Sequence, residues 1–467
     1  MVFSSLTFIF LFLPVLIILY YIVPYKFKNA LLLVGSFIFY AYGELKFFFL
    51  LVLSVLINYL LAICMDAFSE KSLHRKIVFI GALVYNLGVL FFFKYINFVI
   101  ENMNYLLGGL STNSKLPALS LGLPLGLSFY TFQITSYMID VYRRSQKAER
   151  SLFRLSLYLC MFPQLISGPI VKYSDISEQF DKREISLANL EKGLKLFTIG
   201  LGLKVLLADK IGILWHDIQT IGFESISTPL AWLGAIGYSL QLYFDFFGYS
   251  LMAIGAGRML GFVLPDNFNH PYISTSVSEF WRRWHMTLGK WFKDYVYIPL
   301  GGNRVGTLRL IFNLFIVWAL TGLWHGANWN FVLWGLSLFV FIGLEKLILK
   351  PYLDRSKILS RIYVCTVMPL TWMVFAISNL SEIRVYFGRL FGILPGIFVN
   401  KHDVVKYLGI YHWYFIAGIF LCMPFVWNWY RKYEKNLLVN LMLLILFWYS
   451  VYQLSNGINN PFMYFKF

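Results

Sequence analysis

The sequence predicts an all-α polytopic membrane protein, and three observations predict it. Charged residues are 13% of the 467 and hydrophobic residues 59%, with a mean hydropathy of +0.66, whereas an ordinary soluble domain is roughly a quarter charged. Uncharged runs approaching the roughly 20 residues that cross a hydrocarbon core recur along the whole chain. The basic residues sit in short loops between those runs, the distribution that fixes topology by keeping Lys and Arg on the cytoplasmic side.

The series opens with the run 6–23. No basic residue precedes it and no small-x-small cleavage site follows it, so it is expected to remain in the mature protein and not to act as a signal peptide. Runs at 47–64, 77–93, 362–381, 408–429 and 437–454 share its character, and more broken candidates lie at 30–42, 117–139, 155–171, 194–214 and 229–257. Together they predict roughly ten to thirteen membrane-inserted helices. The richest basic loops, 143–154, 172–195, 282–309 and 346–361, are assigned to the cytoplasmic side or its headgroup layer. The longest mostly polar stretches, 172–192 and 381–407, are too short for a soluble catalytic domain. With no linker, low-complexity tract or internal repeat, the chain reads as one domain over 1–467. Any chemistry must therefore occur among the helices or be handed to another protein.

Several function classes drop out. The net charge of +17 is dispersed through the loops, which argues for a membrane surface as partner and against nucleic acid. Cys64, Cys160, Cys365 and Cys422 stand alone in apolar runs without CxxC spacing, and read as buried small hydrophobes. No metal is expected, because no HExxH occurs among the seven histidines, and no GxSxG marks a hydrolase nucleophile.

The residues from Leu310 to Leu344 carry no formal charge and contain LTGLWHGANWN at 320–330. As one straight helix this stretch would be about 52 Å long, well beyond a core of about 30 Å, so it must break. Gly322 and Gly326 flank Leu323, Trp324 and His325, and glycine is favoured where a helix ends or another group approaches the backbone. Residues 310–320 would span about 17 Å, which puts the break near mid-depth. His325 has two readings: a structural imidazole bonded to a neighbouring helix, or a general base, since intramembrane ionisable groups are costly enough to suggest function. Thr321, Asn328 and Asn330 are close enough in sequence to fix its tautomer.

A second histidine lies in SVSEFWRRWHMTLGKWFKDYVYIPLGGNR, 276–304. Ser276 and Glu279 form a capping-box start. Trp281, Trp284, Leu288, Trp291, Phe292 and Tyr295 then recur at helical spacing, with Arg282, Arg283, Lys290, Lys293 and Asp294 mostly elsewhere. That pattern predicts a basic, aromatic amphipathic helix lying in the membrane interface, with His285 turned inward beside the aromatic stripe. Its basic groups offer either surface anchoring or attraction for the phosphates of a coenzyme or the acidic face of a carrier protein. PLGGNR, Pro299 to Arg304, adds pliable backbone beside a fixed charge, a weak anion-binding signal.

These segments, with LPDNFNHPYIS at 264–274 and FPQLISGPIVKY at 162–173, resemble the membrane-bound O-acyltransferase (MBOAT) family, in its bacterial branch of alginate and peptidoglycan O-acetylation. The likeness runs from SFIFYAYGELKFFFLLVLS at 36–54 to NPFMYFKF at the end. It implies a fold around a central channel or pair of funnels, with His325 near the centre as catalytic histidine and His285 as the second family histidine. It also implies transfer of an acyl group, acetyl in this branch, from a cytoplasmic thioester to an extracytoplasmic polysaccharide such as alginate, cellulose or peptidoglycan. D-alanyl transfer to teichoic acid is the alternative within the family, and a non-enzymatic transporter or scaffold the alternative outside it. No bound cofactor is expected; acetyl-CoA or an acyl-carrier-protein thioester would be the donor substrate. Arg282, Arg283, Trp284 and Arg304 are assigned to the donor, and Trp324, Asn328 and Asn267 to support of the site. The implied setting is a bacterial cytoplasmic membrane, with lipid, an extracytoplasmic SGNH-type transferase and a cytoplasmic acyl carrier as partners.

The last seven residues, PFMYFKF at 461–467, follow the polar break SNGINN at 455–460. By composition they form an interfacial aromatic anchor. By resemblance Tyr464 matches a tyrosine thought to carry the acyl group in transit. A phenol of pKa about 10 would need a base such as His325 to serve as nucleophile.

Overall fold

Helices are the only regular structure among the residues that the computed structural model describes, which are 1–108, 115–166, 168–394, 399–400, 402–457 and 462–463. Among these, seven helices are long and apolar enough to cross a membrane: Tyr25–Ala67, Leu73–Gly108, Thr307–His325, Trp329–Leu353, Lys357–Ala376, Asp403–Leu421 and Leu437–Asn456. The first of them bends at Leu45–Phe47 into two legs, and Phe8–Ile22 is a shorter apolar helix. The other expected spans are present as helices that are shorter or more polar.

Where the runs were misjudged, local chemistry explains it. The run 408–429 is two helices, Asp403–Leu421 and Pro424–Tyr433. Pro424 lacks an N–H and forces Met423 into the extended region (φ −83°, ψ 138°), where a helix cannot continue. The run 117–139 becomes helical only at Leu127, after Gly126 turns the chain with φ 72°. A Cβ on Gly126 would also lie 2.6 Å from the Leu165 carbonyl oxygen. Cys64 and Cys365 are exposed on the outer faces of their helices, while Cys160 and Cys422 are buried. A thiol is small and apolar enough to face lipid as readily as protein.

The chain forms two compact units. One comprises Met1–Leu194 with Ala253–Pro265. Its fully buried Arg75 donates to the carbonyls of Met65 and Phe68 at one helix end and Val141 and Tyr142 at another. A cation there satisfies last-turn carbonyls and opposes the negative end of both helix dipoles. In the same unit Arg154 bonds Asp181 at 2.9 Å, bringing together the basic loops 143–154 and 172–195.

The other unit comprises Lys195–Met252 with Asp266–Phe467. It contains the antiparallel hairpin of Thr307–His325 and Trp329–Leu344. The expected break in 310–344 is there, at Gly326 to Asn328. It closes a helix of 19 residues, about 28 Å long. Gly322 stays helical: a Cβ on it would lie 2.4 Å from the Phe331 carbonyl oxygen, and one on Gly335 2.4 Å from that of Trp318. Paired glycines let the two backbones touch, the usual device of close helix contact in lipid.

Candidate active site

The segment 276–295 is not one interfacial helix. It splits into Val277–Arg283 and Met286–Phe292, with His285 between them in the left-handed region (φ 44°, ψ 53°). Ser276 caps the first piece by accepting from the Glu279 N–H, as its spacing requires, while Glu279 reaches back to the N–H and hydroxyl of Thr275. The buried Glu345 carboxylate accepts from the Val277 and Ser278 N–H groups and from the Ser278 hydroxyl. Three oriented donors and a helix N-terminus stabilise that buried anion. Tertiary demand on His285 overrides the periodicity. Its backbone twist turns the ring into the protein, where it is 1% exposed.

There the His285 Nδ1 lies 2.9 Å from Asn267 Oδ1. The same oxygen accepts from the Thr287 hydroxyl at 2.9 Å and the Thr287 N–H, and Asn267 Nδ2 donates to Ser250 Oγ at 3.2 Å. An oxygen that accepts throughout makes the imidazole donate from Nδ1, leaving the lone pair on Nε2. Burial pushes the pKa of His285 down to about 3, so the ring is neutral at physiological pH.

His325 ends its helix among aromatic rings. Its centroid lies 4.8 Å from Trp334 and 5.4 Å from Phe375, both edge-on, and 4.8 Å from Trp324. Trp324 is in turn 6.0 Å from His285, so one indole stands beside both imidazoles. The neighbours expected to fix the tautomer of His325 donate elsewhere: Thr321 to Val317 O and Asn330 to Phe375 O. Asn328 is the residue before the next helix and makes no side-chain cap bond.

A cavity of about 750 Å³ opens against these elements. His285, Trp281 and Trp284 line it, as do Leu314, Trp318 and Thr321 from the hairpin. Those last three are spaced i, i+4 and i+7, so they share one helix face, and His325 at i+11 continues that face one turn beyond Thr321. The exposed Arg282, Lys290, Lys293 and Lys346 line the cavity too. They make its lining basic.

The assigned donor residues divide. Arg282 and Trp284 line the cavity, whereas Arg283 bonds the Glu279 carboxylate at 2.9 Å and Asn269 O at 3.1 Å. Arg304 is exposed and is not among the lining residues. Sequence reasoning missed Lys346, whose signal was its place just past the charge-free stretch, where an antiparallel hairpin must return to the level at which it began. Ser250 and Thr287 carried no signal at all.

Tyr464 lies outside the described residues. Its neighbours Phe462 and Met463 are described. The Phe462 ring is 0% exposed and stacks on Tyr249 at 4.6 Å and packs against Phe246 at 5.5 Å. Phe246 also meets His285 edge-on at 4.7 Å.

The model of the membrane-bound O-acyltransferase family matches residues 37–378. A Pseudomonas putida protein named probable alginate O-acetylase AlgI is 38% identical over 392 residues, 84% of this chain and 80% of its own length. The peptidoglycan O-acetyltransferase of Helicobacter pylori is 37% identical over 430 residues, again 84% of this chain and 80% of its own. The teichoic acid D-alanyltransferase of Bacillus subtilis is 30% identical over 226 residues, 45% of this chain and 56% of that protein.

Proposed function

The chain belongs to the membrane-bound O-acyltransferase family, and from that premise we propose that it moves an acetyl group from a cytoplasmic thioester toward O-acetylation of an extracytoplasmic polysaccharide. The relatives that match most of the chain are named for O-acetylation of alginate or peptidoglycan, while two named for D-alanyl transfer match about half of it, 45% and 51%, at 30% and 28% identity. That difference favours acetyl. A bacterial cytoplasmic membrane is the setting in which a thioester on one face and a polymer on the other are both within reach.

The observation that carries the reading is the cavity with four cations and His285 in its wall, and a helix face leading on to His325. A thioester donor, either acetyl-CoA or an acyl-carrier protein, presents phosphates or acidic side chains that the Arg282, Lys290, Lys293 and Lys346 cluster would attract. The acceptor oxygen attacks the thioester carbonyl carbon and the carbon–sulfur bond breaks. His325 takes the hydroxyl proton and returns it to the departing thiolate. His285, neutral and with its lone pair on Nε2, holds the acceptor hydroxyl or a water. Tyr464 is proposed as the acceptor that passes acetyl to an SGNH-type transferase outside the membrane.

The test is turnover of acetyl-labelled acetyl-CoA, and separately of an acetyl-carrier protein, by the purified full-length chain in lipid vesicles. Release of free thiol by the parent and its loss in His325→Ala are the expected results. No thiol release from either donor would overturn the reading.

A further inference from the structure

Lys204 and Asp245 form a buried ion pair that the transfer reaction does not use. Their side chains are each 2% exposed, and the ammonium nitrogen lies 3.0 Å from Asp245 Oδ1. Lys204 also contacts Asp209 at 2.5 Å. The helices bearing the pair meet backbone to backbone: a Cβ on Gly200 would lie 2.4 Å from Gly248 O, and one on Gly248 2.6 Å from Gly200 O. Lys204 itself lies in a π-helical turn, Leu203–Ala208, a wide turn of the kind often found at functional sites.

Asp245 is the more deeply buried of the two carboxylates beside Lys204, 2% exposed against 21% for Asp209. A buried carboxylate needs hydrogen-bond donors on both oxygens. Asp245 has a second oxygen, and it accepts the Met463 backbone N–H at 2.9 Å. One residue earlier, Phe462 fills the slot between Tyr249 and Phe246, on the same helix as Asp245. A main-chain donor and a buried ring thus seat one short segment at adjacent points. An interfacial anchor would have neither feature, since its rings would face lipid and its amides headgroup water. Phe246 touches the His285 ring as well as Phe462, so the segment is seated one aromatic ring from the site.

We propose that Asp245, oriented by Lys204, is a latch that receives the Met463 N–H and seats Phe462 and Met463 one aromatic ring from His285, making those two residues a built-in part of the site. Asp245 is a positioning residue and does no chemistry itself. That the latch serves transfer rests on the acyltransferase reading above; the seating does not.

Two kinds of variant test it in the full-length chain. Met463→Cys supplies a thiol for a water-soluble maleimide, and its labelling rate reports seating independently of activity. Asp245→Leu deletes the acceptor while Lys204 keeps Asp209, and should speed labelling at least tenfold at matched protein level. The double variant Lys204→Met with Asp245→Leu leaves no lone buried cation and should do the same if the single variant folds poorly. Met463→Pro removes the N–H and also fixes the local backbone, but leaves the ion pair intact, and should lower polymer acetylation as far as Asp245→Leu does. Unchanged labelling in both Asp245 backgrounds, or full acetylation by Met463→Pro, would overturn the latch. Faster labelling in Asp245→Leu together with normal acetylation by Tyr464→Phe would leave the latch standing and remove the relay.

Discussion

His285 donates from Nδ1 to the Asn267 carbonyl oxygen over 2.9 Å, and this one bond decides which ring nitrogen is left to accept a proton or a hydrogen bond. The chain supplies the acceptor from Asn267, on a different segment. The bond is available only because the backbone at His285 takes a left-handed turn.

Asn267→Leu should therefore lower the acetylation rate, because the imidazole is no longer held with its lone pair on Nε2. Asn267→Asp keeps an acceptor but adds a negative charge, which favours the imidazolium and raises the His285 pKa from about 3. If neutral His285 is the working form, the Asn267→Asp enzyme loses rate as pH falls through the raised value, while the parent holds its rate. A pH–rate profile from about pH 5 to 8 checks the direction.

His325→Ala should remove a general-base contribution of about 10² to 10⁴ in rate, with the membrane level of protein unchanged. Polymer acetylation in matched membranes measures it. Normal acetylation would return His325 to a structural role among its aromatic neighbours.

In the cavity lining, Arg282→Ala and Lys346→Ala should each raise the donor KM by about 2- to 5-fold, the scale of one exposed charge interaction, and the effect should fade as salt rises. Arg283→Ala should leave donor KM alone, because that guanidinium is held by Glu279 and Asn269. Steady-state kinetics at two salt concentrations separate the three.

In the hairpin, Gly322→Ala would push a methyl to 2.4 Å from the Phe331 carbonyl oxygen, and Gly326→Ala one to 2.1 Å from the Phe331 ring. Overpacking of this kind costs about 1 to 3 kcal/mol. Gly343→Ala, where nothing lies within 4 Å of the added carbon, should not destabilise and should gain up to about 1 kcal/mol from helix propensity. Thermal melting in detergent compares them.

Tyr464→Phe retains the ring and removes the phenol. It should abolish transfer to polymer while the chain remains inserted, and the parent should carry an acyl adduct on its C-terminal peptide when the outer partner is absent. Mass spectrometry of that peptide reads the adduct directly.

The sequence by itself determined the solvent, the class of fold and the place of the break. Scarce charge leaves apolar runs no option but lipid or a core, a charge-free stretch of 35 residues is too long to cross as one helix, and Gly326 marks where it stops. It also marked both histidines, because a titratable group is conspicuous among apolar neighbours. What only the tertiary structure decided was the working detail around them. Helical periodicity made 276–295 one amphipathic helix, but the capture of Val277 and Ser278 by Glu345 and of His285 by Asn267 splits it in two. Lys346 joins Arg282 at the cavity only because the hairpin folds back on itself. Met463 reaches Asp245 across 218 residues of chain. Such pairings depend on which helices become neighbours, and local pattern does not carry that information, because contacts distant in sequence are set by the packing of whole faces and not by the residues beside them.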